Sequence, residues 1–157
     1  MAVKRRKQTI IAGTILFFCI MVLAIFGNPI LLKNRYDFGN AVKSLTADTI
    51  TLQEITPFAW DVVYSFTPYT PKREIERVIG FKSNSITETV SEGMVQLIFV
   101  RGNKVVCNIQ GYSSDLGYRI SLWTGAESSC QARYEENVSF SVEQDESVVL
   151  LVRNEAL

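Results

Sequence analysis

The sequence predicts an α+β fold: an N-terminal transmembrane helix, then a small antiparallel sheet of five or six strands with one main helix packed on a face. Three observations carry this expectation. From Gln8 to Leu32 no residue is charged and most are aliphatic or aromatic. From Thr49 onward, short runs of β-branched and aromatic residues recur between turn residues. One stretch, Thr70 to Gly80, has helical periodicity together with start and stop signals.

The apolar run comes first. Its 25 positions extend about 37 Å as a helix, more than the ~30 Å of bilayer hydrocarbon. This predicts a transmembrane anchor over residues 10–32, with Gly27-Asn28-Pro29 weakening the helix near the far interface. The basic block Lys4-Arg5-Arg6-Lys7 favours a cytoplasmic tail over residues 1–9. A juxtamembrane segment over 33–48 and an extracytoplasmic domain over 49–157 follow, as in a single-pass protein of the cytoplasmic (inner) membrane. A cleaved signal peptide has the same basic start, but its apolar region is about 7–15 residues long and ends at small side chains. Here the run exits as LAIFGNP, with Phe26 where a small residue is needed. Phe18 before Cys19 likewise breaks the lipoprotein pattern, so Cys19 reads as a small apolar side chain of the helix.

In the body, TITLQEI (Thr49–Ile55) alternates enough to suggest a short first strand, and Trp60 to Phe66 a better one. In the turn TPYTP, Pro68 and Pro71 press the preceding residues towards extended geometry. Thr70 is placed to cap the next helix and Pro71 to occupy its first position. Ile75, Val78 and Ile79 share one face of that helix, Lys72, Arg73, Glu76 and Arg77 stay wet, and Gly80 ends it. MVQLIFV and KVVCNIQ then flank Gly102-Asn103 as a hairpin, with Phe99 expected opposite Val106 and Ile98 opposite Cys107. Residues 111–117 read as a loop, Tyr118 to Trp123 as a strand, and 124–134 as a connection. VSFSV and SVVLLVR form a last hairpin around Asp145-Glu146, pairing Val142 with Val149 and Phe140 with Leu151.

Charge and composition narrow the function. The chain has 16 basic and 16 acidic residues, but six of the basic ones and none of the acids lie within the first 35 positions. The remainder carries a net −6. Nucleic acid is not an expected partner, because phosphate recognition needs clustered Lys and Arg. Histidine is absent, which removes the usual general base near neutral pH and the commonest zinc ligand. No metal or cofactor is expected. Glu135-Glu136 and Asp145-Glu146 read as solvated turns without calcium-loop spacing. Cys107 and Cys130 invite a disulfide in an oxidising compartment, with two separately buried thiols as the alternative. Asn137-Val138-Ser139 matches the glycosylation sequon.

The run WDVVYSFTPYTPKREIERVIGF is similar to one carried by small, mostly uncharacterised bacterial envelope proteins, membrane-anchored or lipoprotein. The resemblance rests on Trp60, Asp61, Val63, Tyr64, Phe66, Pro68, Tyr69, Thr70, Gly80 and Phe81, and extends over Thr49 to Gln110. It implies an envelope location and carries no activity, so no catalytic role is transferred.

Four residues stand out as binding candidates: Tyr69 in the turn, and Tyr112, Asp115 and Tyr118 around the loop GYSSDLGY. That loop is not a Gly-x-Ser-x-Gly elbow, and no histidine exists to activate its serines. Trp60, Tyr64 and Phe66 share parity and are expected under the helix as structure. Asp61 is expected to pair with Arg73 or Arg77, or to cap backbone. The expected function is a non-enzymatic, membrane-anchored extracytoplasmic binding protein. Its partner would be another envelope or membrane protein, as for a toxin-immunity protein or an accessory subunit, with the bilayer contacted through residues 10–32. The alternative is a small envelope hydrolase or transferase using carboxylates and tyrosine, which requires Asp61 and Asp115 to converge.

Overall fold

The structure, a computed structural model, describes residues 11, 13, 14, 17, 18, 28–123, 129–145 and 147–154. Among these residues no helix is long and apolar enough to cross a membrane. This corrects the transmembrane anchor expected over 10–32, and with it the single-pass placement in the inner membrane. The basic tail, Cys19 and most of the apolar run lie outside the described residues. Pro29 to Leu32, counted into that anchor, instead begin helix α1 (Pro29–Lys43). Asn28 caps this helix, its Oδ1 accepting from the Ile30 N–H at 3.0 Å, and Pro29 takes a first-turn position where its missing N–H costs nothing. The Asn-Pro pair expected to weaken one helix starts another.

One face of α1 packs into the core, although residues 33–48 were expected as a juxtamembrane segment. Phe38 and Val42 are fully buried, and the Phe38 ring sits 5.3 Å from Phe99 and 6.0 Å from Tyr118. Strand β1 (Thr49–Thr51) stops after three residues, where helix α2 (Leu52–Ile55) begins. Thr51 and Glu54 form a reciprocal capping box. The Thr51 hydroxyl and N–H hold the Glu54 carboxyl below its ordinary pKa.

The remaining elements are β2 (Val62–Phe66), α3 (Lys72–Ile79), β3 (Met94–Arg101), β4 (Lys104–Tyr112), α4 (Ser113–Leu116), β5 (Tyr118–Ser121), β6 (Ser129–Arg133), a 3-10 turn (Tyr134–Glu136), β7 (Ser139–Asp145) and β8 (Val148–Arg153). They build two four-stranded sheets, β1-β7-β8-β5 and β4-β3-β2-β6, rather than one sheet of five or six strands. Nor is the pairing wholly antiparallel, because β5 runs parallel to β8. The two inner faces enclose the main core, and α1 closes one side by packing on the edge strand β4 and touching β5 and β8. Edge carbonyls of β4 are covered by side chains of α1. Asn34 Nδ2 donates to Val106 O at 2.8 Å and an Arg35 guanidinium N–H donates to Gln110 O at 2.9 Å.

Both predicted hairpins form, each with a shifted register. Arg101 pairs with Lys104 and Val100 with Val105, but Phe99 then faces Cys107 and Ile98 faces Asn108. Val106 is the extra residue of a β-bulge, so Cys107 rather than Val106 stands beside Phe99. In the second hairpin Val142 faces Leu151 and Phe140 faces Arg153. That slip of two residues keeps every side chain on its intended face, because the pleat has a period of two.

The outer face of the second sheet carries a separate apolar cluster of Phe66, Ile75, Ile79, Ile86, Ile98 and Val100. Helix α3 and the irregular segment 82–93 cover it. That segment is clasped by three side-chain amides at 2.8 Å each: Asn108 to Ser85 O, Gln96 to Thr87 O and Gln110 to Glu88 O. Tyr64 and Phe66 stack on this outer side, 6.3 Å apart, while Val78 is exposed. Trp60 departs from the expected shared face. It precedes β2 and turns into the main core, edge-on to Phe99 at 5.6 Å and to Tyr134 at 5.2 Å.

Candidate functional site

The structure separates the four binding candidates into two places. Tyr69 follows the end of β2 and Tyr112 closes β4, at one end of their sheet, whereas Asp115 and Tyr118 line a groove beside α1.

The first place is built by the turn after β2. Thr70, expected to cap α3, turns its hydroxyl back to Thr67 O at 2.7 Å, and the capping position falls to Pro71. The open helix start is served from the facing segment, where Glu88 Oε1 accepts from the Lys72 N–H at 2.7 Å. At the other end Gly80 closes α3 in the left-handed conformation, at φ 88°. Between Pro68 and Thr70, Tyr69 adopts φ 65° and donates its N–H to Thr89 O at 3.0 Å. Its ring is 58 % exposed, and Val90, next to that carbonyl, is 74 % exposed. Tyr112, paired with Met94 at the same end of the sheet, is close enough to Gly93 that a β-carbon there would touch its ring. Beneath runs a cleft of about 180 Å³ between Ser65–Pro68 and Gly93–Gln96 on one wall and Arg119, Ser121 and Trp123 on the other.

The second place is a more open groove of about 360 Å³. One wall is a single face of α1, with Arg35, Gly39 and Lys43 at helical spacing, and the other holds Asp115, Leu116 and Tyr118. Tyr118 is only 2 % exposed, and its ring fits against Gly39, where a β-carbon would lie 3.4 Å from Cε1. Burial pushes its phenol up to about 12, with the nearby Cys107 adding to the rise and Arg35 opposing it.

The remaining chemistry does not converge. The Asp61 carboxylate accepts from the Gly102 N–H at 2.6 Å, tying the β3–β4 turn to the start of β2. No described ion pair joins it to Arg73 or Arg77; Arg77 instead pairs with Glu74 at 3.1 Å. Asp115 lies beyond the opposite end of β4, a nine-residue strand spanning roughly 26 Å, so the two carboxylates are held apart.

Cys107 and Cys130 are not bridged to each other, which corrects the expected disulfide. They stand on β4 and β6, the two outer strands of one sheet. Three inter-strand spacings separate them by roughly 14 Å, where a disulfide needs Cα atoms within about 7 Å. Burial raises the Cys107 thiol to about 12. Cys130 donates to Leu122 O at 3.1 Å.

Sequence reasoning missed Val90 and Arg35. A lone valine in a polar segment gives no signal, and Arg35 read as part of a basic flank to an anchor. No protein family, curated protein or solved structure matches this chain.

Proposed function

We propose that this chain is a non-enzymatic binding protein whose partner is another protein, met through the end that carries Tyr69, Val90 and Tyr112. The observation that supports this best is the backbone of Tyr69. A tyrosine at φ 65° costs on the order of 1 kcal/mol, and this one spends that energy to hold a ring out in solvent. Such a conformation persists where the surroundings enforce it, here the hydrogen bond to Thr89 O and the flanking Pro68. Exposed, rigid aromatic rings are favoured anchors at protein interfaces, because they bury a large area with little loss of rotamer freedom. The separation of Asp61 from Asp115 counts against the carboxylate enzyme.

Site-specific photocrosslinking in the source cells tests the reading. A photoreactive residue at position 69 is expected to trap one protein that the same residue at exposed position 77 does not. Identifying that protein separates a toxin from a subunit of a larger assembly, the two partner classes expected from the sequence. Equal products from both positions, or none at 69, would overturn the proposal.

A further inference from the structure

The groove beside α1 carries an inference that does not depend on the aromatic end. Three charged side chains share it, Arg35 and Lys43 on one wall and Asp115 on the other, yet among the described residues none of them forms an ion pair. Arg35 uses one N–H on Gln110 O, which fixes the guanidinium at the groove wall and leaves its other donors available. The Lys43 side chain lies along Gly117 and lines the same groove about two helical turns beyond Arg35.

Tyr118 is the second, independent observation. Its side chain is almost wholly buried, yet its hydroxyl is not one of the fully enclosed polar atoms and opens to the groove. That hydroxyl lies 3.7 Å from where a β-carbon of residue 39 would be, so the glycine leaves the phenol room in the groove wall. A phenol held by its buried ring with its O–H open to the groove is a donor fixed in position for a ligand. The raised pKa keeps the phenol protonated, and hence a donor, throughout the physiological range.

We propose that this groove binds a small oxyanion, a carboxylate or a phosphate ester, that carries an ammonium or hydroxyl group at its other end. The oxyanion sits on Arg35 and the Tyr118 hydroxyl, Lys43 adds to the positive field from farther along α1, and the donor end faces the Asp115 carboxylate. Two cations against one carboxylate leave the groove with a net positive charge, which selects a ligand of net negative charge. Charge-assisted hydrogen bonds from a guanidinium give such a site its affinity.

The test uses the full chain with isotope-labelled amides, titrated with L-glutamate, with glutarate as its ammonium-free counterpart, and with glycerol 3-phosphate. Saturable shifts at Gly39, Asp115 and Tyr118 are expected with L-glutamate or with glycerol 3-phosphate, the responding ligand identifying the carboxylate or the phosphate source. Arg35→Gln should weaken binding about tenfold, the loss of one charge-assisted contact. Tyr118→Phe, which keeps the ring packing, should weaken it by a smaller factor. If L-glutamate responds, glutarate should bind less tightly, and Asp115→Asn should erase that difference. No saturable shift with either ligand, or binding that is indifferent to Arg35→Gln and Asp115→Asn in variants with unchanged thermal unfolding, would overturn the proposal. Neither result bears on crosslinking from position 69.

Discussion

The two faces of the β4-β3-β2-β6 sheet are buried by different means. On the inner face, one row across all four strands reads Cys107, Phe99, Val63 and Ala132, and every member is fully buried. The facing sheet, α1 and α2 fill the space above it with aromatic and aliphatic side chains. The next row on the outer face reads Asn108, Ile98, Tyr64 and Gln131, and only part of it is apolar. There a short helix packs through Ile75 and Ile79, and an irregular segment is held by amide side chains that donate to its backbone carbonyls. Apolar packing is non-directional and tolerates many partners, whereas an amide clasp specifies which carbonyl sits where. The inner face supplies the larger share of burial. The outer face supplies the placement of the segment from which Thr89 positions Tyr69.

Each of four measurements can break that contrast or sharpen it. The largest effect is expected at high pH, because both buried acids belong to the inner side. The folded chain holds the Cys107 proton to about 12 against an ordinary 9.0, and the Tyr118 proton to about 12 against 10.0. Between those values the unfolded chain has released protons that the folded chain retains, so stability falls as pH rises. Unfolding monitored by circular dichroism should therefore set in between about pH 9 and 12. Joint replacement Cys107→Ala and Tyr118→Phe should move its midpoint upward, and an unmoved midpoint would assign alkaline unfolding elsewhere.

Truncation of the inner core comes next. Phe99→Ala removes ring contacts to Phe38, Phe58 and Trp60 and should cost about 3–5 kcal/mol in denaturant unfolding. Ile86→Ala in the outer cluster should cost nearer ~2 kcal/mol. Equal losses would mean that the two faces contribute alike.

Smaller again is the loss of one clasp. Gln96→Ala strands the Thr87 carbonyl and should cost about 1–3 kcal/mol. Amide hydrogen exchange should quicken over residues 85–89 while the β3–β4 amides stay protected. Uniform loss of protection would make the clasp part of the global core instead.

Last, Tyr69→Gly relieves a left-handed tyrosine and should leave stability unchanged or raise it by about 1 kcal/mol. Binding of the crosslinked partner should nevertheless weaken. A variant that is both more stable and fully competent to bind would remove Tyr69 from the interface.

Local chemistry was legible wherever one segment contained its own instructions. Helix α3 was readable because its apolar stripe, Pro71 and Gly80 lie within a single short stretch. The capping box Thr51-x-x-Glu54 was equally readable as a helix start, but the alternation around it drew the segment into a strand. Strand β6 was not readable. SCQAR has little β-propensity, and it is extended because β2 offers it a ladder from Val62 to Phe66. The groove was hidden for the same reason, since Arg35 and Asp115 are 80 positions apart and meet only because α1 lies against β4 and β5.

The α+β class, the two hairpins, α3 with its C-terminal glycine cap, and the turn that presents Tyr69 all follow from the order of residues alone. Periodicity, proline and glycine act over a few residues, so one segment suffices to express them. Tertiary structure decided the split into two sheets, the parallel β5–β8 pair, the bulge at Val106 that turns Cys107 inward, and the distance between Cys107 and Cys130. It also decided that α1 lays Phe38 and Val42 into the core. Each of these depends on which surfaces meet across long stretches of chain, and apolar side chains specify that they be buried without specifying against what.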